Sequence, residues 1–341
     1  MTTSLELTRS QILAFRRRAA ALDERLPRGR RALRRAAWAG LQDSMPRAAL
    51  LSIHARMAGT EPASWEDPSL VQVWGPRFSV YVVAKCDLAV FTLGRLPGES
   101  GPLKRAQDIA ARLRSALAGR RMAQGAAARA MGAQHANQLR YAAPTGTVLI
   151  RWDGSRQPDI WNVPAPEMDP HEARLELARR YLQVFGPTTP EAFATWAGIG
   201  PLSGIAAFEA LRKSLTQVRT PIEEAWILSR DEPLFRAAPS PAASARLLPS
   251  GDTWFLLQGA DRKLLVPNER QRRALWTSRV WPGALLVEGE TVGTWRRAEH
   301  VLTIQPWRRL SRAQRDAVEA EAGSLPLPGI NRPMDIRWDH G

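Results

Sequence analysis

The chain has 341 residues, 44% of them hydrophobic, which is enough for two or three compact cores and argues against wholesale disorder. A single cysteine excludes an internal disulfide, and no apolar run approaches the roughly 18 residues of a membrane helix. The N-terminal residues also lack the layout of a secretory signal. We therefore expect a cytoplasmic protein that does not bind membranes.

The positive charge is unevenly distributed along the chain. The total net charge is +15, of which residues 1–150 carry +13 and residues 151–341 only +2. A GC-rich genome would explain why arginines far outnumber lysines, but not why basic residues outnumber acidic ones. The asymmetry is expected where one face of a protein meets a polyanion, which could be DNA, an anionic membrane or an acidic protein.

The first region of the chain predicts helices followed by a hairpin. Helices are expected at 8–23, at 30–41 and from Pro46 onward, and two strands at 70–74 and 79–83. The turn between the strands contains Arg77. This order is typical of a winged helix-turn-helix, in which a helix enters the major groove and the hairpin contacts the DNA backbone or the minor groove.

Two further regions repeat the plan of helices and a hairpin. The second has predicted helices at 103–117, 120–131 and 135–141, and strands at 147–152 and 158–161 around a tight turn at 153–155. The third has predicted helices at 171–185, 190–197 and 201–215, and strands at 215–219 and 225–229. Its hairpin turn is acidic, so we expect this third region to be a scaffold more than a DNA reader.

The pattern changes to short strands after about residue 231. Strands are predicted at 244–248, 254–257, 263–266, 284–287 and 300–305, with a helix near 312–322 and a loose tail at 332–341. The expected fold class is α+β, with three tandem winged-helix units followed by a β-rich domain. The predicted boundaries are 1–98, 99–166, 167–232, 233–325 and 326–341.

Several segments, in the same order, resemble the AlkZ/YcaQ-type DNA glycosylases, a superfamily of tandem winged-helix proteins. The segments that carry the resemblance are WAGLQDS at 38–44, LVQVWGPR at 70–77, RYLQVFGP at 180–187 with WAG at 196–198, and VGTWRR at 292–297. Together they span about 10–310. The resemblance implies a C-shaped scaffold of three winged helices around duplex DNA, completed by the β-rich region. It also implies removal of alkylated bases, or unhooking of crosslinks, by cleavage of the N-glycosidic bond.

The resemblance also marks a candidate catalytic motif. The superfamily has Gln-x-Gln or Gln-x-Asp just after the second helix, and this chain has Gln42, Asp43 and Ser44 there, so the third position departs from both forms. Gln42 can orient a water, and Asp43 could take its proton or stabilise the cationic sugar, while Ser44 offers a weaker hydrogen bond. Alternatively, Asp43 or Ser44 caps the helix that begins near Pro46.

The remaining sequence features narrow the chemistry. A lyase-type glycosylase needs an amine, and Lys85 and Lys104 are the only lysines of the basic half, neither at a position that the resemblance marks. We therefore expect hydrolysis without strand cleavage. The five histidines and one cysteine show no metal-ligand spacing, so no metal or other cofactor is expected.

The candidate DNA contacts lie in the basic half. They are Arg30, Arg31, Arg34, Arg35, Arg47, His54 and Arg77, and we expect about half of the arginines to touch DNA. For His54, packing within the protein is an alternative. The departure at Ser44 leaves a second function open, that of a non-catalytic winged-helix DNA-binding protein, either a regulator or a lesion binder. A glycosylase is expected to act as a monomer without an obligate protein partner, whereas a regulator would dimerise on a palindrome.

Overall fold

The computed structural model describes residues 5–154, 157–239, 241–329 and 333–339, and these residues form an α+β fold with three sheets. The predicted α+β class is therefore confirmed. Part of the predicted turn at 153–155 and of the predicted tail lies outside the described residues. None of the described helices is both long and apolar enough to cross a bilayer.

The first region has short helices and a hairpin, as the sequence predicts. Its elements are β1 (Leu5–Glu6), α1 (Arg9–Ala19), α2 (Arg30–Ala36), β2 (Leu41–Gln42), α3 (Ala48–Arg56), β3 (Leu70–Trp74), β4 (Val80–Ala84) and α4 (Leu88–Thr92). The second region contains α5 (Ser100–Leu117), β5 (Met122–Ala123), α6 (Gln124–Ala130), β6 (Val148–Arg151) and β7 (Asp159–Asn162). The third helix predicted in the second region is instead a 3₁₀ segment at Ala136–Thr145.

The first two regions share one six-stranded sheet, in the order β2-β4-β3-β6-β7-β5. The junction is the antiparallel pairing of β3 with β6, where Gln72 lies opposite Ile150. The boundary predicted at residue 98 thus separates hairpins that the structure joins edge to edge. An unpaired strand edge attracts other strands, and joining the two hairpins satisfies one edge of each.

The third region is helical and ends in a hairpin. Its elements are α7 (Pro170–Phe185), α8 (Pro190–Ala197), α9 (Pro201–Ala210), β8 (Leu215–Arg219), β9 (Glu224–Leu228) and α10 (Glu232–Arg236). Thr189 caps α8 by accepting a hydrogen bond from the Ala192 amide, as predicted.

The N-terminal elements pack mainly on this third region. Strand β1 pairs in parallel with β8, with Leu5 opposite Val218, and Phe15 of α1 stacks on Phe235 of α10 at a ring separation of 3.9 Å. Arg16, which is 2% exposed, donates to the backbone oxygen of Phe185 and to the carboxylate of Asp261. These contacts join the N-terminus to the C-terminal half of the chain.

The C-terminal region is built on a five-stranded sheet, in the order β10-β11-β12-β13-β14. Its elements are β10 (Ala245–Leu248), α11 (Asp261–Leu265), α12 (Glu269–Leu275), β11 (Gly283–Val287), β12 (Glu290–Ala298), β13 (Val301–Pro306), α13 (Arg312–Gly323) and β14 (Asp335–Trp338). The strands predicted at 244–248, 284–287 and 300–305 and the helix near 312–322 are confirmed.

Three predictions for this region are wrong. Residues 254–257 are buried without forming a strand, and 263–266 lie mostly in helix α11. Short apolar runs do not reveal whether a buried segment is a strand, a helix or neither, which explains both errors. The predicted loose tail contains β14, which pairs in parallel with β13.

Candidate active site

Strand β2 presents the Gln42-Asp43-Ser44 motif at the edge of the six-stranded sheet. Gln42 lies opposite Tyr81 of β4, and the Asp43 amide donates to the backbone oxygen of Val80 at 2.8 Å. Because successive side chains of an extended segment point to opposite sides, Gln42 and Ser44 face one way and Asp43 the other. The motif is therefore divided between an open cleft and the protein interior.

The Gln42 side chain is held by its neighbours. Its Oε1 accepts a hydrogen bond from Arg77 Nη2 at 3.0 Å, and the Tyr81 hydroxyl lies 3.5 Å from the same oxygen. Gly251 of the C-terminal region packs against this amide, and a Cβ there would lie 2.9 Å from Nε2. The φ of Gly251, +78°, also favours glycine. With Oε1 engaged, the amide nitrogen, which has no acceptor among the described residues, can donate to a group in the cleft.

Arg77 occupies a position different from the exposed hairpin tip that the sequence predicts. It and Phe78 both have left-handed backbone conformations, with φ of 52° and 56°. The turn packs on the end of α8, where a Cβ on Gly198 would lie 3.0 Å from the Arg77 nitrogen. The Arg77 guanidinium is thus directed to Gln42, and whether it also touches DNA stays a prediction.

Asp43 is a buried structural group in this structure. It is 3% exposed, and its two carboxylate oxygens accept hydrogen bonds from the Ala49 amide at 3.0 Å and from Gln72 Nε2 at 2.7 Å. Burial raises the pKa of this carboxyl to about 6, although both hydrogen bonds oppose the shift. Of the two roles that the sequence leaves open for Asp43, the geometry favours capping of α3.

Ser44 has the complementary position. Its side chain is exposed, and it makes no cap contact with α3, since the carboxylate of Asp43 takes that role. The capping alternative for Ser44 is therefore wrong. The hydroxyl faces the same cleft as Gln42.

The cleft beside Gln42 has a volume of about 460 Å³ and lies between the first region and the C-terminal domain. Its charged lining consists of Arg77, Arg262 and Arg279, and no carboxylate lines it among the described residues. Ser250, Gln258 and Trp281 complete its polar and aromatic wall. An anionic ligand that enters this cleft meets uncompensated positive charge.

The sequence reasoning missed the part of this cleft that the C-terminal domain supplies. Arg262 and Arg279 lie in the predicted β-rich region, where the low net charge of 151–341 drew no attention to them. Within that half, however, residues 262–315 carry a net charge of +8, which acidic segments on either side offset. The net charge of shorter stretches of the sequence would have revealed this second basic segment.

The predicted DNA contacts on α2 have different surroundings. Arg30 and Arg31 are exposed. Arg34 is also exposed, but it donates to both oxygens of Asp87, at 2.9 and 2.7 Å, and Asp87 also accepts from Arg180 at 2.9 Å. Arg34 is thus engaged within the protein, which argues against its predicted role as a phosphate contact.

Two more predicted arginine contacts are partly buried. Burial lowers the pKa of Arg35, and Asp231 is near enough to oppose that shift. Arg47 donates to the backbone oxygen of Asp153 at 2.8 Å, and its guanidinium lies 4.8 Å from the centre of the Trp65 ring. The contacts of Arg47 therefore compete with DNA, and the burial of Arg35 restricts its access to a phosphate.

His54 does not face DNA in this structure. It is 7% exposed, and its Nε2 lies 3.0 Å from the Ser324 hydroxyl and 3.1 Å from Arg25. Burial, together with the charge of Arg25, lowers its pKa to about 4, so the ring is neutral at physiological pH. The predicted DNA contact is wrong, and the packing alternative is confirmed, because α3 lies against the C-terminal domain.

The described residues offer neither a metal site nor a lysine nucleophile at the cleft. They contain no group of three histidine, cysteine, aspartate or glutamate side chains placed to hold a metal ion. Of the lysines, none lines the described wall of the cleft. The polar groups that a substrate would meet there are an amide, hydroxyls and guanidinium groups.

Comparisons with known proteins give a consistent result. The model of the family described as "DNA glycosylase AlkZ-like" matches residues 33–326. The solved structure of the Streptomyces sahachiroi DNA glycosylase AlkZ is similar with a TM-score of 0.80, over 98% of this chain and all of that one, at 18% sequence identity. At that identity the likeness shows the fold. No curated protein matches the chain significantly.

Proposed function

The chain belongs to the AlkZ-like DNA glycosylase family, a family of DNA-repair hydrolases, and from this premise we propose that the cleft around Gln42 is its active site. There the enzyme would cut the N-glycosidic bond of an alkylated purine or a crosslink in duplex DNA. The observation that carries the proposal is the hydrogen bond from Arg77 to Gln42 within a cleft whose described lining contains no carboxylate.

The proposed step is attack of water on C1′ of the sugar. Gln42 donates through Nε2, Ser44 offers a hydroxyl on the same side of the strand, and together they position the water. Arg77 acts on Gln42 and not on the water, by fixing which end of the amide faces the cleft. In this proposal Asp43 caps the first turn of α3 and takes no proton from the water.

The charge of the cleft limits which bases can leave. The described residues of the cleft include no carboxylate, so they offer no strong base for the water and no fixed negative charge for the cationic sugar of the transition state. The leaving base must therefore carry its own positive charge, as purines alkylated at N7 or N3 do. We expect release of 7-methylguanine and no release of uracil, whose glycosidic bond is not activated.

The arginines of the cleft suit the DNA backbone. Arg262 and Arg279 would bind the phosphates next to the damaged nucleotide, and these phosphates supply the negative charge that the protein lacks. Arg30 and Arg31 would contact phosphates further along the duplex. We propose that the three helix-and-hairpin regions are winged-helix units arranged as a C around the DNA, and that the enzyme acts as a monomer near the nucleoid.

A hydrolytic reaction without strand cleavage fits this site. A lyase reaction needs an amine to form a Schiff base with the sugar, and no lysine lines the described wall of the cleft. The product would be an intact strand with an abasic site, and breaks would appear only after heat or alkali.

The experiment is base release from a duplex with one 7-methylguanine, measured as heat-revealed strand breaks. We expect Gln42→Ala to reduce the rate about 100-fold and Gln134→Ala, an exposed glutamine in the second region, to leave it unchanged. Ser44→Gln restores the Gln-x-Gln form of the superfamily motif and should keep or raise the rate. Duplexes with bulkier adducts and crosslinks serve as further substrates.

The second candidate function is non-catalytic DNA or lesion binding, which the serine at position 44 favours. Tight, salt-sensitive binding with no base release from any of these substrates would establish that function and reject the glycosylase site. Equal release by the wild type and Gln42→Ala would leave the enzyme class standing but move its active site away from the proposed cleft.

A further inference from the structure

The turn between β3 and β4 borders two cavities. Arg77 and Ser79 line the cleft, whereas Phe78 lines a second cavity of about 620 Å³. The other walls of this rear cavity are the first turn of α5, the 3₁₀ segment Ala136–Thr145 and the loop between α8 and α9. The rear cavity is therefore bounded by all three helix-and-hairpin regions, and the proposed reaction does not use it.

The aromatic and cationic groups of the rear cavity are arranged for a planar ligand. Phe78 and Tyr141 meet edge to face, with ring centres 5.2 Å apart, and the Arg105 guanidinium lies 3.9 Å from the centre of the Tyr141 ring. Tyr141 is partly exposed and Arg105 is exposed. Rings and guanidinium planes of this kind stack on nucleobases regardless of base identity.

Arg95 gives the rear cavity an unsatisfied charge. It is 2% exposed, and it donates to the backbone oxygens of Ala197 at 2.8 Å and Trp74 at 2.9 Å, while its Nη2 has no partner among the described residues. Burial lowers the pKa of this guanidinium to about 9. A facing anion would stabilise its charged form and satisfy a buried donor that otherwise destabilises the fold.

The surroundings of Arg95 favour a single phosphate group. Helices α5 and α9 both begin at this cavity, and neither first turn is capped by a side chain. The positive ends of these helix dipoles add to the attraction of Arg95 and Arg105 for an anion, although Pro102 and Pro201 have no N–H to donate. Glu99 also lines the rear cavity and opposes that attraction, so a ligand with two or three linked phosphates is disfavoured.

We propose that the rear cavity is a nucleotide-binding site, in which a base stacks on Tyr141 and its phosphate faces Arg95 and Arg105. The nucleotide is either a free mononucleotide or an unpaired nucleotide of the bound DNA. Because Phe78 and Arg77 are adjacent left-handed residues of one turn, a ligand that moves Phe78 also moves the group that holds Gln42. Binding does not depend on the proposed catalytic function, whereas this coupling does.

The test for a free nucleotide is calorimetric titration of the full chain with dAMP, with deoxyadenosine as the ligand that lacks the phosphate. We expect saturable binding of dAMP, weaker binding of deoxyadenosine, and about tenfold weaker dAMP binding in Tyr141→Ala and in Arg105→Ala. Arg114→Ala is the matched control, since Arg114 is an exposed arginine of the same helix outside the cavity lining. Arg105 is exposed, so its variant is expected to fold.

The test for a nucleotide of the bound DNA uses 2-aminopurine opposite or beside a 7-methylguanine. Stacking on Tyr141 should quench its fluorescence in the wild type and in Arg114→Ala, but not in Tyr141→Ala. Base release is measured on the same preparations, so an active enzyme that shows neither dAMP binding nor quenching overturns this proposal alone. If saturating dAMP changes the rate of base release in the wild type but not in Arg105→Ala, the coupling to Gln42 is supported, and an unchanged wild-type rate overturns it.

Discussion

The cleft and the ion pairs of Asp87 next to α2 use arginine side chains in opposite ways. Arg77, Arg262 and Arg279 line a cavity without any carboxylate among its described residues. Beneath α2, Arg34 and Arg180 converge on one carboxylate, Asp87, at 2.7 and 2.9 Å. The first arrangement leaves positive charge available to a ligand, and the second satisfies it within the fold.

This difference shows that the count of arginines does not by itself identify a DNA-binding surface. A guanidinium that already has a carboxylate partner loses that interaction when it turns to a phosphate, and the exchange gains little. A guanidinium without such a partner gains the full interaction with the phosphate. The sequence places Arg31 and Arg34 on one short helix, but only their surroundings distinguish their functions.

The largest expected effect is that of Arg77 on catalysis. Arg77→Ala releases the Gln42 amide and should lower the rate of base release about 100-fold, with much less effect on DNA affinity. Arg34→Ala is the matched control and should change the rate less than about twofold, since its contacts are internal. If the two variants lose base-release rate equally under single-turnover conditions, the cleft arginines do not differ in function from those paired with Asp87.

The next effect concerns the pH dependence of stability at Asp43. Its carboxyl has a pKa of about 6 in the folded state against an ordinary value of 3.8, so the folded state binds the proton more tightly than the unfolded state. As the pH rises from 4 to 6, the free energy of unfolding should therefore fall, by up to about 3 kcal/mol from this group. Denaturant unfolding of wild type and Asp43→Asn at several pH values measures the contribution, which the variant should lack.

Removal of the Asp87 carboxylate tests how much its ion pairs with Arg34 and Arg180 stabilise the fold. Burial opposes ionisation of Asp87, but the hydrogen bonds from Arg34 and Arg180 prevail and lower its pKa. Asp87→Asn should destabilise the fold by about 2 kcal/mol at pH 7, and this difference should shrink in acid as the wild-type carboxyl is protonated. A variant that unfolds at the same denaturant concentration as the wild type would show that the pair contributes nothing.

A smaller effect distinguishes Arg31 from Arg34 in DNA binding. Arg31→Ala should lower the slope of log affinity against log salt by about 1, the signature of one lost phosphate contact. Arg34→Ala should leave the slope unchanged. Titration of one undamaged duplex at several salt concentrations gives both slopes, and a reduced slope for Arg34→Ala alone would reverse our interpretation of α2.

The smallest expected effect on DNA is that of His54. His54→Gln should change DNA affinity less than about twofold, because the ring packs between Arg25 and Ser324. Its pKa of about 4 lies below the ordinary 6.5, so the wild-type free energy of unfolding should rise between pH 4 and pH 6.5 from this group. This rise opposes the fall due to Asp43, and only the two variants, compared with the wild type, separate them.

Much of the local structure could be predicted from the sequence, because it depends on local signals. The hairpin at 70–74 and 79–83 followed from β-branched residues around a turn with glycine and proline, and α8 from a threonine cap followed by proline. The errors at 254–257 and 263–266 have the same origin. Short buried segments contain no periodicity, since every side chain is apolar whatever the backbone does.

The candidate site was predictable only in part, for a different reason. The resemblance identified Gln42, but its partner Arg77 and the opposing Arg262 are 35 and 220 positions further along the chain. The direction of Asp43 depends on a strand of two residues, too short to recognise from sequence. Contacts between distant segments leave no local signal in one sequence, so the cleft is evident only in the folded structure.

The pairing of the N-terminal strand with β8 has a consequence for synthesis on the ribosome. Leu5 reaches its partner Val218 only after more than two hundred further residues have been made, and Arg16 must wait longer still for Asp261. Contacts so distant in sequence slow folding, and the regions in between are complete before the first helix has a surface to pack on. The N-terminal segment is thus among the last parts of the chain to form its native contacts.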